Sequence, residues 1–303
     1  MFGLLYKNIF HSNDQTENML EKIFDGRRFW VKARDGTKLD CMFFPFNDEK
    51  VLTIEQLKRI DRHKDIENQT ALEYTKYPTV IFFSPNAQCY QQQVHSPNCF
   101  WLKFFVQNKI NVMAWNYRDY GRSEGTPDPF LCLHDSESIL KFLIKDLGLI
   151  GKIGCFGRSL GGTMASHLAN NFGEHIDFLF VDRSLGSLQA ISQRLILGSY
   201  NQSLFNMLTQ GWCINNAKNF YEAKCFKMLT QDPKDDTIDQ FSALNAQVAS
   251  FACEEEIGET RYSSLKIEKS YNAFRMLFMV ENKLFILLKH QSKHIKKNQK
   301  AKR

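Results

Sequence analysis

The sequence predicts an α/β protein with a mostly parallel central sheet and helices on both faces of that sheet. Short apolar runs bounded by turn residues alternate with segments of helical spacing through the middle of the chain. The runs are apolar throughout, which is typical of parallel strands buried on both faces. Strands that alternate with helices imply right-handed crossovers between parallel neighbours. A chain of 303 residues is long enough to form such a core as one domain.

The first predicted element is an N-terminal β-hairpin over residues 27–46. Two runs rich in aromatic and apolar residues flank Asp35 and Gly36, and an Asp-Gly pair favours a tight turn between two strands. The following residues, 47–77, are largely polar and charged, so we predict a surface insertion there.

Five short runs predict further strands, and the segments between them predict helices. The strand runs are "PTVIFF", "INVMAWNY", "KIGCF", "IDFLFVD" and "CFKML", and the helical segments are "CFWLKFFVQN", "DSESILKFLIKDLG" and residues 161–170. The second helix is predicted to begin at Asp135, whose side chain is a suitable N-cap. Residues 183–223 show no strand pattern and predict either a helical cap or a pair of connecting helices. We therefore predict one domain over residues 1–288 and a basic tail over residues 289–303.

The positive charge of the chain is concentrated in that tail. The net charge is +6, and removing the seven Lys and Arg residues of the tail leaves −1, so we expect no nucleic-acid partner. The tail predicts either a solvated end or peripheral contact with an anionic membrane, at about 1 kcal/mol for each basic residue near the surface. The eight cysteines lack metal-ligand spacing, and neither a signal peptide nor a long apolar run is evident. These features predict a cytoplasmic protein without a metal site or a disulfide framework.

The stretch "IGCFGRSLGGTMASHLAN" contains a Gly-x-Ser-x-Gly motif between a predicted strand and a predicted helix. In that context the motif predicts a sharp turn that presents Ser159 as a nucleophile, with the Leu160 N–H directed at a developing oxyanion. The alternative is an ordinary turn in which the glycines only end a strand. A second donor is expected in "SPNAQ", where Pro85 has no N–H, so the donor is Asn86 or Ala87.

With four further motifs, this stretch resembles the α/β-hydrolase superfamily, in particular the intracellular branch of Bem-type hydrolases and α/β-hydrolase-domain depalmitoylases. The resemblance covers roughly residues 27–244 and rests on "SPNA", "NYRDYGRSEGTP", "FGRSLGG", "VDRSLGSL" and "DPKDDTI". It implies the α/β-hydrolase fold and a serine hydrolase that acts on esters, thioesters or, less often, amides without a cofactor. The depalmitoylases usually carry an N-terminal cysteine cluster, whereas the first cysteine here is Cys41. A monoacyl lipid or a small ester is therefore an equally open substrate.

The catalytic acid and base are expected after the nucleophile, in the order Ser, acid, His. The resemblance aligns Asp235 with the family's acid, and Asp236 and Asp182 are alternatives. The family's Gly-Gly-His turn is absent, and among the histidines only His290 and His294 follow the acid.

His290 is the predicted base, because it follows the strand-like run "KLFILLK" and would lie at the carboxyl end of that strand. The other histidines considered, His95, His134, His167 and His175, precede the acid and would break the expected order.

Two classes of function follow from these residues. The first is an active serine hydrolase that forms an acyl-enzyme at Ser159. The alternative is a catalytically impaired protein of the same fold that serves as a binding or scaffold module because it lacks a competent base.

Overall fold

The computed structural model describes residues 20–21, 24–46, 74–94, 100–188, 214–232, 235, 238, 242–250, 277–280 and 283–288. Its strands are β1 Arg27–Lys32, β2 Lys38–Phe44, β3 Thr79–Phe83, β4 Asn111–Trp115, β5 Ile153–Arg158, β6 Phe178–Asp182, β7 Phe226–Gln231, β8 Leu277–Val280 and β9 Lys283–Leu288. Its longer helices are α1 Phe100–Gln107, α2 Pro129–Lys145, α3 Gly161–Asn171 and α4 Asn216–Glu222. Among the described residues, no helix has the length and apolar character needed to cross a membrane.

The strands form one sheet in the order β1-β2-β4-β3-β5-β6-β7-β9-β8. The five strands from β4 to β7 in this order are parallel, as the sequence predicted. The predicted hairpin is also confirmed, because β1 and β2 pair antiparallel up to Lys32 and Lys38. Gly36 turns the chain between them with a φ of 87°, a conformation that glycine adopts without steric cost.

Helices cover both faces of the sheet, because successive residues of each buried strand point to opposite sides. On one side, Ile81 and Phe83 belong to a core cluster shared with buried residues of α2, α3 and α4. On the other side, Val80 and Phe82 pack in a second cluster with Leu102 and other residues of α1. The predicted two-sided α/β arrangement is confirmed.

The last strand, β9, runs opposite to the direction that would bring His290 to the nucleophile edge. β9 pairs antiparallel with β7, with Leu284 opposite Gln231 and Leu288 opposite Lys227. The carboxyl end of β9 therefore lies beside the start of β7, at the edge opposite to the carboxyl ends of the parallel strands. His290, His294 and the rest of the basic tail lie outside the described residues, as do residues 47–73 of the predicted insertion and 189–213 of the predicted cap.

The predicted start of α2 is wrong. The helix begins at Pro129, and the Leu131 N–H donates to the side chain of Asp128 at 2.9 Å. Asp-Pro is a strong start signal, since proline at the first helical position needs no N–H partner. Asp135 lies inside the helix, fully buried, and its carboxylate accepts from Arg118 Nε and Nη2, each at 2.7 Å.

Arg118 joins the hairpin to α2 through a largely buried ion network. The guanidinium is 4% exposed, and its Nη1 also donates to Asp35 of the hairpin turn at 2.6 Å. Burial raises the pKa of Asp135, and the hydrogen bonds from Arg118 oppose that rise. The Arg118→Ala substitution would leave Asp135 buried without its cation, so we expect the free energy of unfolding to fall by about 3–5 kcal/mol. Urea unfolding followed by circular dichroism measures this loss.

Arg34→Ala is the matched control, because Arg34 is mostly exposed and pairs with Glu137 at the surface. We expect this variant to lose less than about 1 kcal/mol. Adding Asp135→Asn to Arg118→Ala should recover part of the stability. A loss in Arg118→Ala as small as that of the control would contradict the role of the network.

Lys227 gives the fold a distinct pH dependence. Its ammonium is buried and donates to the carbonyl oxygens of Phe220 at 3.0 Å and Tyr221 at 2.7 Å, near the end of α4. Burial lowers the pKa of Lys227 from 10.5 to about 8. Between these two values the unfolded chain binds more protons at Lys227 than the folded chain does, so this residue makes stability rise with pH.

We expect the free energy of unfolding of the wild type, minus that of Lys227→Met, to increase between pH 8 and 10.5. Urea titrations at several pH values measure this difference, and Lys218→Met, an exposed lysine of α4, controls for the loss of a charge. A difference that does not change with pH would contradict the prediction.

Candidate active site

Ser159 lies on a sharp turn between β5, which ends at Arg158, and α3, which begins at Gly161. Its φ is 52°, in the left-handed region that residues with a β-carbon seldom occupy. Such a conformation costs on the order of 1–3 kcal/mol and persists only where the surrounding structure holds it. Ser159 is partly exposed at the carboxyl edge of the parallel strands. The turn is therefore strained and is not covered by core side chains.

Two glycines of the motif are required by close backbone contacts. A β-carbon at Gly157 would lie 2.7 Å from the Gly162 Cα, and one at Gly161 would lie 2.8 Å from the Ser84 carbonyl oxygen and collide with that of Phe83. Real β-carbons do not approach other atoms this closely. The turn thus packs through bare backbone against the end of β3, where the "SPNA" loop starts.

The end of β6 and the loop that follows it hold both backbone groups of Ser159. The Ser159 N–H donates to the Asp182 carbonyl oxygen at 3.0 Å, and the Ser184 hydroxyl donates to the Ser159 carbonyl oxygen at 2.7 Å. Ser184 is fully buried and in turn accepts from Asn216 Nδ2 of α4 at 3.1 Å. Ser184 could not be assigned this role from the sequence, because only the folded chain brings it beside Ser159. The "VDRSLGSL" motif therefore supports the strained turn.

The two predicted oxyanion donors lie in neighbouring loops of the same edge. β3 and β5 are parallel neighbours, and Phe83 pairs with Gly157, so the loops that follow them leave the sheet side by side. Asn86 is exposed in the first loop, and Leu160 precedes the first residue of α3 in the second. Within the described part of the chain, no group accepts a hydrogen bond from the N–H of either residue. Both N–H groups can therefore serve a developing oxyanion.

Asp235 follows β7 and lies in a turn at the carboxyl edge. Its N–H donates to the Asp232 carbonyl oxygen at 3.1 Å, and its Oδ1 accepts from the Ile238 N–H at 3.0 Å. Burial lowers the pKa of Arg158, the residue before Ser159, and the charges of Asp182 and Asp235 oppose that effect. Asp235 is thus electrostatically coupled to the nucleophile turn.

Asp182 is less suited to be the catalytic acid, because both of its carboxylate oxygens already have partners. Oδ1 accepts from the Thr230 hydroxyl at 2.7 Å, and Oδ2 accepts from Arg183 Nη2 at 3.1 Å and lies 3.7 Å from Arg158 Nε. The third alternative, Asp236, lies outside the described residues. These contacts argue against Asp182 as the catalytic acid.

The three histidines that the structure describes are engaged elsewhere. His167 Nε2 lies 2.9 Å from Glu137 Oε1, His134 Nδ1 lies 3.3 Å from the same oxygen, and His175 pairs with Glu174. None of them forms a recorded contact with Ser159 or Asp235 among the described residues. His290 remains the predicted base, and the antiparallel direction of β9 removes the argument that placed it at the nucleophile edge.

Sequence comparison finds relatives of part of this chain. No protein-family model matches it. The chain is similar to the alpha/beta hydrolase domain-containing protein WAV2 of Arabidopsis thaliana, with 29% identity over 161 residues that cover 52% of this chain and 42% of that protein. It is also similar to protein bem46 of Schizosaccharomyces pombe, with 26% identity over 113 residues, 37% of this chain and 36% of that protein. The matches span less than half of either relative.

The fold matches solved structures over a longer part of the chain. A crystal structure of an alpha-beta hydrolase from Vibrio vulnificus superimposes with a TM-score of 0.56 at 16% identity, covering 84% of this chain and 80% of that one. At this identity the likeness concerns the fold alone. The fold expected from the motifs is confirmed.

Proposed function

We propose that this chain, a member of the α/β-hydrolase superfamily related to its Bem-type branch, is a serine hydrolase that cleaves a carboxylic ester or thioester. The observation that carries the proposal is the strained turn at Ser159, with a φ of 52° and both backbone groups held by the end of β6 and the loop that follows it. A serine kept in this conformation at the end of a parallel strand is the expected form of a nucleophile elbow.

The proposed reaction proceeds through an acyl-enzyme. Ser159 Oγ attacks the acyl carbonyl carbon while the base accepts the hydroxyl proton. The carbonyl oxygen becomes an oxyanion that accepts hydrogen bonds from the N–H groups of Leu160 and Asn86. Collapse of this intermediate expels the alcohol or thiol, which takes the proton from the base. Water, deprotonated by the same base, then attacks the acyl-enzyme and releases the carboxylic acid and free Ser159.

Asp235 is the proposed acid that orients the base, and His290 is the proposed base. The place of Asp235 supports its part, since it follows β7 at the carboxyl edge and its charge acts on Arg158, the residue before Ser159. No cofactor is needed for this chemistry, because the proton and the acyl group both move between side chains, substrate and water.

A fluorophosphonate probe tests the proposal directly, because it reacts with an activated serine and leaves a stable phosphonyl adduct. We expect the purified chain to be labelled, with the adduct on the tryptic peptide 159–183. Labelling of another serine, or none at micromolar probe, would contradict the proposed nucleophile.

Two observations favour the scaffold alternative. The described histidines bind carboxylates elsewhere, and β9 runs away from the nucleophile edge. If the chain resists the probe and cleaves neither p-nitrophenyl esters nor an acyl thioester, the binding or scaffold role replaces the enzymatic one.

A further inference from the structure

We propose that Tyr120 is a positioning residue of the oxyanion hole, whose hydroxyl holds the turn at Asn86 and Ala87 so that the Asn86 N–H faces the substrate. This inference rests on the proposed function. It gives a role to the loop after β4, which contains the "NYRDYGRSEGTP" motif.

The Tyr120 hydroxyl makes two hydrogen bonds to that turn. It donates to Asn86 Oδ1 at 2.7 Å and accepts from the Ala87 N–H at 3.3 Å. A phenol has one proton to donate and lone pairs to accept with, so the two contacts are compatible. One oxygen atom therefore joins the side chain of Asn86 to the backbone of the next residue.

These contacts hold a second strained residue and select one of the two candidate donors. Ala87 has a φ of 61°, where a β-carbon costs about 1–2 kcal/mol. The hydrogen bond to Tyr120 is one of the interactions that keep Ala87 in this conformation, and it occupies the Ala87 N–H. Of the two donors that the sequence left open, Asn86 is the one whose N–H has no acceptor among the described residues.

Tyr120 can act as a fixed support because its own position is well determined. Its N–H donates to the Tyr117 carbonyl oxygen, and the Ser123 N–H donates to the Tyr120 carbonyl oxygen, each at 3.0 Å. The Tyr117 and Tyr120 rings pack edge to face at 5.6 Å, and the Tyr117 hydroxyl donates to the Ser84 carbonyl oxygen at 2.6 Å. The hydroxyls of Tyr117 and Tyr120 thus hydrogen-bond the loop after β4 to the loop after β3 at two points.

The Tyr120→Phe variant tests this role, because it removes the hydroxyl and keeps the ring with its packing. Loss of an oxyanion donor lowers kcat by about 10²–10³-fold, so misalignment of one should lower kcat by about 10–100-fold. The substrate carbonyl in the ground state needs this donor less, so we expect KM to change by less than about twofold. Steady-state hydrolysis of a p-nitrophenyl ester gives both constants.

Asn86→Ala provides a second, independent variant. It removes the side-chain acceptor for Tyr120 but keeps the backbone N–H. If the hydroxyl acts through Asn86, the double variant should be no slower than the slower single variant, because Tyr120→Phe already breaks the hydrogen bond that Asn86→Ala removes. Tyr77→Phe is the matched control, since Tyr77 precedes β3 at the opposite edge of the sheet and is also half-buried. We expect its kcat to equal that of the wild type.

The inference would be overturned by an unchanged kcat in Tyr120→Phe or by additive losses in the double variant. The proposed function would still stand in either case, provided that the wild type is active. A wild type that neither reacts with the fluorophosphonate probe nor cleaves esters would remove the proposed function, and this inference with it. If kcat falls in both Tyr120→Phe and Asn86→Ala while KM changes little, the result supports this inference and the proposed function.

Discussion

Ester turnover by the Ser159→Ala variant is expected to fall by about 10⁶-fold, the size of effect seen when a serine nucleophile is removed from a complete triad. The loss is large because no other described group at the carboxyl edge replaces the hydroxyl as attacking atom. Residual rate above that in water would come from the oxyanion donors and from substrate positioning alone. Initial rates with a p-nitrophenyl ester measure the effect, and probe labelling should disappear in parallel.

Ser138→Ala is the matched control, because Ser138 lies on α2 and donates its hydroxyl to the His134 carbonyl oxygen of the same helix. We expect its turnover to stay within about twofold of the wild type. If Ser159→Ala retained full turnover, Ser159 would not be the nucleophile, and the strained turn would serve the fold alone.

The His290→Ala variant should lose about 10⁴–10⁶-fold in kcat if His290 is the base, since a serine hydroxyl without a base is a poor nucleophile. The test is informative because β9 ends beside Lys227, at the edge of the sheet opposite to Ser159. A large loss would mean that the chain after β9 returns to the nucleophile edge in the active protein.

His294→Ala is the natural control for that test, since it removes an imidazole from the same basic tail. Unchanged turnover in His290→Ala, with an inactive Ser159→Ala, would assign the proton transfer to another group. The pH dependence of kcat would then identify the pKa of that group.

Much of the fold could be predicted from local patterns. The Asp35-Gly36 turn, the apolar strands and the Gly-x-Ser-x-Gly turn each carry their signal within a few residues, so the sequence was sufficient for them. Asp135 was misassigned because an aspartate ahead of an apolar helix has the pattern of a cap. Its partner, Arg118, lies 17 positions earlier, and only packing shows that the two meet.

The residues that hold the site in place could not be predicted either, because they too contact residues distant in the sequence. Ser184 and Tyr120 contact residues 25 and 34 positions away, respectively, and nothing in their neighbouring sequence marks them as polar partners of the active site. The direction of β9 was also not predictable, because an apolar run is the same in parallel and antiparallel pairings.

The glycine contact between α3 and the end of β3 has a consequence for how far the Ser159 turn can be altered. With no side chain separating Gly161 from Phe83 and Ser84, main chain alone sets the distance between α3 and this end of the sheet, and shortening a side chain cannot change it. Even a methyl group at Gly161 would push α3 away from the end of β3, and the N–H groups of Leu160 and Asn86 would move apart with the loops that carry them.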